Sequence, residues 1–400
     1  MPPGKCIRKE FRMKQTEGFL LQYIEGIPYL LPFGQRIAEH RRTMRLNETS
    51  ALIWKILPEC GTARSLHEKM TEQWEADTPE EQNMLWQDLQ QILQQFDAFG
   101  LLDHTDDTAM EPSSGQYRIA GIRLQLQGAP EHLQTLFASY EDTGREPSDL
   151  TIRIHCSSAL STAPLGGEQV LYDPDLHIVR QKDGTLIRFP SLPHIVEVRT
   201  DPEETSADIF CMPPWEDQLS AELFPVIRLL FSRYAQTQGM LFLHSASLFY
   251  QGKAWLFSGS SGTGKSTHTN LWHKLFGTPV LNGDLNLLAV KDGKPVIYGT
   301  PWCGTSGISD SGNYPLGGIV LLKQDTSEHL DILSPDEQLL GLLRRIISPS
   351  ETASMLCQNM EILCQICEGI PVWRLHCTKN PDAALYIKEK IDAFLQDRKG

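Results

Sequence analysis

Residues 254–267 read Ala-Trp-Leu-Phe-Ser-Gly-Ser-Ser-Gly-Thr-Gly-Lys-Ser-Thr, an apolar run that passes directly into Gly259-Ser260-Ser261-Gly262-Thr263-Gly264-Lys265-Ser266. The octet fits G-x-x-x-x-G-K-[ST], the Walker A phosphate-binding loop, or P-loop. Glycines let successive backbone N–H groups turn toward one anion with no Cβ in the way. A helix begun at the end of the loop aims its positive N-terminus at the same charge. Lys265 then reaches the terminal phosphates, and the Ser266 hydroxyl is placed for Mg²⁺. The flanks agree: 254–257 reads as a buried strand, and 267–276 carries Leu271, Trp272 and Leu275 at helical spacing before Gly277 as a stop. The expectation is an ATP and Mg²⁺ site built from residues 259–267, Thr267 included.

With 400 residues and 40% apolar composition, the chain is large enough for two or three domains with ordinary cores. A net charge of -14 argues against a nucleic-acid partner, since neutralising phosphates needs a basic surface. The basic clusters at 5–14 and 40–45 are short and read as solvated faces. No stretch reaches the ~20 apolar residues of a membrane span, and the first residues hold no apolar signal-peptide core. Nine scattered cysteines fit reduced thiols, so a cytoplasmic location without a membrane partner is expected. Cys357, Cys364, Cys367 and Cys377, beside His376, include a C-x-x-C that suits zinc; the other reading is a helix over 354–368 with cysteines as small core residues.

The first segment opens with strand-like pieces at 19–24 and 27–31, split by Glu25-Gly26, and a third at 35–40. Asn47 reads as the cap of a helix whose inner face is Leu46, Leu52, Ile53, Ile56 and Leu57. A second helix is expected over 62–74. A third, over 82–99, carries Leu85, Leu89, Ile92, Leu93, Phe96 and Phe99 on one stripe and is closed by Gly100. The phrase Leu46-Asn47-Glu48-Thr49-Ser50-Ala51-Leu52-Ile53-Trp54, the Gly61-Thr62 turn and the closing Phe99-Gly100-Leu101-Leu102 resemble the PqqD-like domains, over residues 17–104. The resemblance implies a winged-helix-like module that captures the leader of a ribosomally made precursor peptide for a modifying enzyme. The leader would add as a strand beside 35–40 and pack on the third helix. Other peptide-modifying enzymes are further implied partners. The alternative is a winged-helix module for homo-oligomer formation or DNA binding. For DNA, the third helix is a poor surface, being acidic and glutamine-rich (Gln87, Asp88, Gln90, Gln91, Gln94, Gln95, Asp97).

Residues 105–116 read as a polar linker, and 117–215 as a β-rich accessory region with strands near 117–127, 150–155, 169–172, 177–180, 185–189 and 195–200. The last segment, 216–400, opens with a helix over 220–238. The strand 240–250 then turns through Gln251-Gly252-Lys253 into the strand before the P-loop. The order Leu243-His244-x-x-Ser247-Leu-Phe-x-x-Gly252-Lys253-x-x-Leu256-Phe257-x-Gly259 resembles the HPr kinase/phosphorylase family and its phosphoenolpyruvate-carboxykinase-like relatives. That resemblance implies a histidine just upstream of the loop and acidic residues ending the next strand.

The next strand is 279–282, and Asp284 follows it, a Walker-B-like place for a carboxylate that shares Mg²⁺ with Ser266. The family usually has two aspartates there, one taking the proton of the attacking hydroxyl; here Gly283 stands in the first position. Either Asp284 combines metal and base duty, or the base comes from elsewhere, or the transfer differs. His244 carries over to the family's histidine. As imidazolium it stabilises the phosphoryl oxygens; as imidazole it only orients a group. The expected catalytic set is therefore His244, Lys265 and Asp284. Gly299-Thr300-Pro301-Trp302-Cys303-Gly304-Thr305-Ser306-Gly307 looks like a loop of related kinases near the nucleotide or acceptor, or else is a tight turn packed by Trp302. The family's metal-side glutamate has no clear counterpart, Asp310 being the nearest acid. Arg344-Arg345 reads as a phosphate clamp or as partners of surface acids. The expected fold class is an α+β / α/β multidomain protein: a PqqD-like module, a β-rich layer and an HPr kinase-like P-loop domain. The expected function is an ATP-dependent kinase of a Ser or Thr hydroxyl on a precursor peptide. A small-molecule kinase and an ATP-binding peptide chaperone without transfer are the alternatives.

Overall fold

The computed structural model describes residues 12–38, 42–74, 76, 78–105, 114–144, 146–156, 166–212, 218–260 and 262–397. Most of the expected linker, and Ser261 of the P-loop, lie outside these. The described residues divide into two compact units: those of 12–105 with a few at 156, 211–212 and 218–219, and the remainder.

The first unit runs β1 (Arg12–Gln15), β2 (Phe19–Ile24), β3 (Ile27–Pro32), α1 (Gln35–Ala38), β4 (Met44–Arg45), α2 (Glu48–Cys60), α3 (Ala63–Gln73), α4 (Pro79–Ala98) and β5 (Leu102–Thr105). Glu25 and Gly26 both take positive φ (50° and 79°), the backbone that matches a two-residue hairpin turn to strand twist. Each long helix begins on a side-chain cap: Asn47 accepts from the Ser50 N–H and Thr62 from the Ser65 N–H. Thr78 and Glu81 form a reciprocal capping box, so α4 starts three residues before the expected 82. Ile53, Trp54, Leu57, Leu66, Met70, Leu89, Leu93 and Phe96 make the core, whereas Phe99 is exposed because the stripe ends where α4 does. The expected strand at 35–40 does not form over its described part. Gly34 turns the chain out of the sheet at φ 58°, Arg36 and Ile37 N–H bond back to Phe33 and Gly34, and β4 takes the third place beside β3.

The second unit starts with β6 (Ser114–Ile119), β7 (Ile122–Gln127), α5 (Glu131–Thr135), β8 (Leu150–Cys156), β9 (Glu168–Tyr172), β10 (His177–Gln181), β11 (Gly184–Arg188), β12 (Ile195–Thr200) and β13 (Ser206–Cys211). These strands form one eight-stranded sheet in the order β6-β7-β8-β13-β12-β11-β10-β9. The single strand expected at 117–127 is a hairpin, because Ala120 and Gly121 take positive φ. Ile122, Leu124 and Leu126 point inward in strict alternation.

After α6 (Gln218–Thr237) come β14 (Met240–Tyr250), β15 (Lys253–Ser258), α7 (Lys265–Phe276), β16 (Val280–Asn282), β17 (Leu285–Lys291), β18 (Lys294–Tyr298), β19 (Asn313–Gln324), β20 (His329–Ile332), α8 (Pro335–Leu343), α9 (Ala353–Gly369), β21 (Val372–Cys377) and α10 (Pro381–Asp397). The strands form a mixed sheet in which β15 lies between antiparallel β14 and parallel β19. Both faces of β15 are covered, which explains its unbroken apolar run. Trp255 and Phe257 pack with Trp272, Ile387 and Ile391, while Ala254 and Leu256 pack with Leu342, Ile362 and Ile366. Of the apolar positions expected on α7, Trp272 is fully buried, whereas Leu275 is 44% exposed; His268 and Thr269 are buried beside Trp272. Arg233, almost fully buried on α6, is paired with Glu204 and Glu351, so it ties the eight-stranded sheet to the segment before α9. No helix among the described residues is long and apolar enough to cross a membrane.

Candidate functional site

The glycine-rich loop 259–264, expected to bind phosphate, leaves β15 at its carboxyl end and enters α7, so it sits where open α/β sheets bind ligands. Gly262 and Gly264 take φ 76° and 101°, and a Cβ at Gly259 would lie 2.5 Å from Thr263 Oγ1. The local backbone thus favours glycine at 262 and 264, and the Thr263 side chain crowds a Cβ at 259. The Lys265 ammonium curls over the loop, donating to the carbonyls of Gly259 (3.2 Å) and Ser260 (3.4 Å). Burial lowers its pKa, opposed by Asp284 and assisted by Arg345. Ser266 and Thr267 are exposed on the first turn of α7. Beneath them His268 is buried, its pKa pushed down to about 3 by burial, and it accepts a hydrogen bond from Trp272 Nε1 at 3.2 Å. Gln324 Nε2 donates to the Gly262 carbonyl (3.0 Å), fastening the loop to β19.

His244 lies where β14 changes partners. Through His244 it pairs with β17, and from Ser245 onward with β15. Its Nδ1 is 3.3 Å from Asp284 Oδ1, its carbonyl accepts from Ser258 Oγ, and its N–H donates to the Arg345 carbonyl. The structure therefore brings His244 and Asp284 together beside the P-loop strand. Asp284 is held through its own backbone: its N–H donates to Asn282 Oδ1 (2.9 Å), and its carbonyl accepts from Ser245 N–H (2.9 Å). Asn282 is 1% exposed; its Oδ1 also takes the Leu285 N–H, and its Nδ2 donates to the Thr300 and Trp302 carbonyls. Asn286 and Ser247 extend this buried network. Asn282 was not singled out from the sequence, although Asn-Gly-Asp after an apolar run carries the signal of an Asx turn. Burial depresses the pKa of His244, Lys265 and Arg345 depress it further, and Asp284 opposes them. The lowered pKa keeps the ring neutral at neutral pH.

The absence of an aspartate at 283 has a steric cause. A Cβ there would overlap the Cβ and hydroxyl of Ser306, whose Oγ is bonded to the Cys303 carbonyl at 2.6 Å. Gly304 is equally close: its Cβ would stand 2.8 Å from the Asp284 carboxylate. The turn Gly304–Ser306 therefore packs directly against Asp284. Trp302 anchors it, 2% exposed among Phe137, Phe224, Phe231 and Phe242, with Nε1 donating to the Phe224 carbonyl. So the 299–307 loop is both a packed turn and a wall of the site. Gly283→Ala is expected to cost about 1–3 kcal/mol, as overpacking does, read as a lower denaturant midpoint with unchanged slope. Unchanged stability would show that the turn yields freely. Asp310 Oδ1 accepts from Gly312 N–H and Tyr314 OH (both 2.7 Å).

Two arginines join the site. The segment after α8 adds to β14 through the Leu243–Ile346 bridge, and this brings Arg345 Nη2 to within 3.0 Å of Ser260 Oγ. Of the two readings of Arg344-Arg345, the structure supports the P-loop contact for Arg345. Arg228, on α6, is lowered in pKa by burial and feels Asp284 as its opposing charge. One arginine in a long helix carries no sequence signal for that placement. Lys265 and Arg228 both interact with the Asp284 charge, and Arg345 acts on Lys265 and His244, so the site carries three cations and suits a polyanion. The cysteines do not assemble: Cys357 and Cys364 are exposed, and among the described residues the one group of three close ligand-type side chains is Asp325, His329 and His376.

No protein-family profile matches the chain, and no curated protein matches it. Among solved structures the chain is similar to the Hpr(Ser) kinase/phosphatase from Coxiella burnetii, at 11% identity over 40% of this chain and 99% of that one, with a TM-score of 0.23. The likeness is weak.

Proposed function

We propose that this chain is an ATP-dependent phosphotransferase of the HPr kinase-like class. Its acceptor is a Ser or Thr hydroxyl of a ribosomally made peptide, whose leader is held by the PqqD-like first unit. One observation carries the reading: Lys265 over the glycine loop, beside the His244–Asp284 pair. The residues fit the donor. The Gly259 cradle has no room for a Cβ, and Ser266 with Asp284 offers hard oxygens for Mg²⁺. Held by Ser266 and Asp284, Mg²⁺ would supply positive charge to offset that of the transferring phosphoryl group.

The chain's own groups do the rest. Loop amides and Lys265 hold the phosphates in line. The acceptor oxygen bonds to the γ-phosphorus as the bond to the bridging oxygen breaks and ADP leaves. Asp284, oriented by neutral His244, takes the hydroxyl proton. Leader capture raises the local concentration of acceptor, so the site need not bind the reacting residue tightly.

The test is to incubate the chain with γ-labelled ATP and the precursor peptide encoded nearby. Label on the peptide supports the reading, and label only on an added small molecule overturns its acceptor. Binding of both without transfer overturns catalysis and leaves a chaperone. Arg345→Ala is expected to lower kcat/KM for ATP roughly 10–100-fold, the loss of one charge-assisted hydrogen bond of about 1.5–3 kcal/mol. Steady-state kinetics checks it, and an unchanged value would remove Arg345 from the site.

A further inference from the structure

We propose that the ends of β19, β20 and β21 carry a site for a borderline divalent transition metal, zinc(II) by class, ligated by Asp325, His329 and His376. The three ligand-type atoms all lie within 4.8 Å of one another. They come from three separate places. Asp325 follows β19 and is tied by its N–H to the Cys377 carbonyl (3.0 Å), and His329 and His376 face each other across the antiparallel β20–β21 pair. The two rings stack with centroids 3.9 Å apart. The site does not depend on the phosphotransferase reading.

The surroundings of His376 favour a ligand. Its side chain is 7% exposed, and Nε2 lies 3.0 Å from Asp331 Oδ2, whose other neighbour is Arg374 at 3.5 Å. A carboxylate on the far nitrogen keeps the proton there and turns the other nitrogen's lone pair toward a metal. That other nitrogen, Nδ1, lies 2.8 Å from Asp325 Oδ2. Tetrahedral zinc with bonds of ~2.05 Å separates its ligand atoms by about 3.3 Å, so this pair has to part by about half an ångström. The stacked rings must also swing so that both lone pairs converge. His329 and Asp325 are exposed, which gives an ion an entry path and room for water as a fourth ligand. Two imidazoles and one carboxylate select zinc, cobalt or nickel over Mg²⁺ or Ca²⁺, which prefer all-oxygen sets.

The site has a neighbour worth holding still. Gln324, Cys377, Thr378 and Lys379, close to Asp325 and His376 in sequence, line a shallow open depression with Thr263 and His268. An ion joining the three strand ends would stiffen that wall.

The experiment is titration of the metal-free full-length chain with Co²⁺, followed by zinc competition. Expected are one equivalent bound, visible d–d bands of a nitrogen/oxygen set, and displacement by zinc. His329→Ala and Asp325→Asn should each weaken binding at least about 10-fold, and Asp331→Asn about 10–100-fold, as loss of an outer partner does. Absence of binding by the unaltered chain overturns the proposal. So does a sulfur-to-cobalt charge-transfer band, or full affinity retained in both His329→Ala and Asp325→Asn. Because the unaltered chain answers first, a variant that fails to fold does not protect the idea.

Discussion

Lys265→Ala is expected to lower phosphate transfer by on the order of 10²–10³-fold or more in kcat, as loss of a preorganised charge at a developing phosphoryl group does. Leader-peptide affinity, measured by fluorescence anisotropy, should not change. The ammonium sits over the carbonyls of Gly259 and Ser260, so it need swing only a short way to reach a phosphate in the loop. Lys265→Met keeps the stem that packs at the start of α7 and removes only the charge, so it separates lost chemistry from lost packing. Transfer that survives in both variants would sink the phosphotransferase reading. Loss of leader binding together with transfer would instead point to damage beyond the site.

Asp284→Asn should be nearly as severe, on the order of 10²–10⁴-fold, the usual worth of a positioned general base. The substitution is isosteric, and Asp284 is anchored by its backbone to Asn282 and Ser245, so the fold is expected to survive. His244→Gln tests the other half of the pair. Because the folded histidine is depressed below its ordinary pKa, it stays neutral as pH falls through about 6.5 and charges only at lower pH. The rate profile should therefore show no break near 6.5, and its histidine limb should lie lower and vanish in His244→Gln. A break at 6.5 lost in that variant would mean that His244 is solvated and unpaired. Transfer at the wild-type rate in Asp284→Asn would place the base elsewhere.

Much of this architecture was legible because its causes are local. Asn47, Thr62 and the Glu25-Gly26 turn act within a few residues, and each does what its residue type requires. The strand, the glycine turn and the helix of 253–276 were legible for the same reason. Where the cause was distant, reading failed. The segment 35–40 has strand-like composition, yet its described residues turn into α1 after Gly34 and leave β4 to pair with β3. Leu275 has the right spacing for a core position and shares the face of His268 and Trp272, yet it lies at the far end of α7 and stays 44% exposed.

By itself the sequence determined the loop backbone, the helix that follows it and the acid at Asp284, since glycine freedom, helix polarity and period-two burial need no partner. The tertiary structure decided what those parts face. Packing of the Gly304–Ser306 turn crowds any Cβ at Gly283, the partner change of β14 brings His244 to Asp284, and a strand addition past α8 sends Arg345 to Ser260. Each of these joins residues that no local preference connects, and only the closing of a shared core sets them side by side.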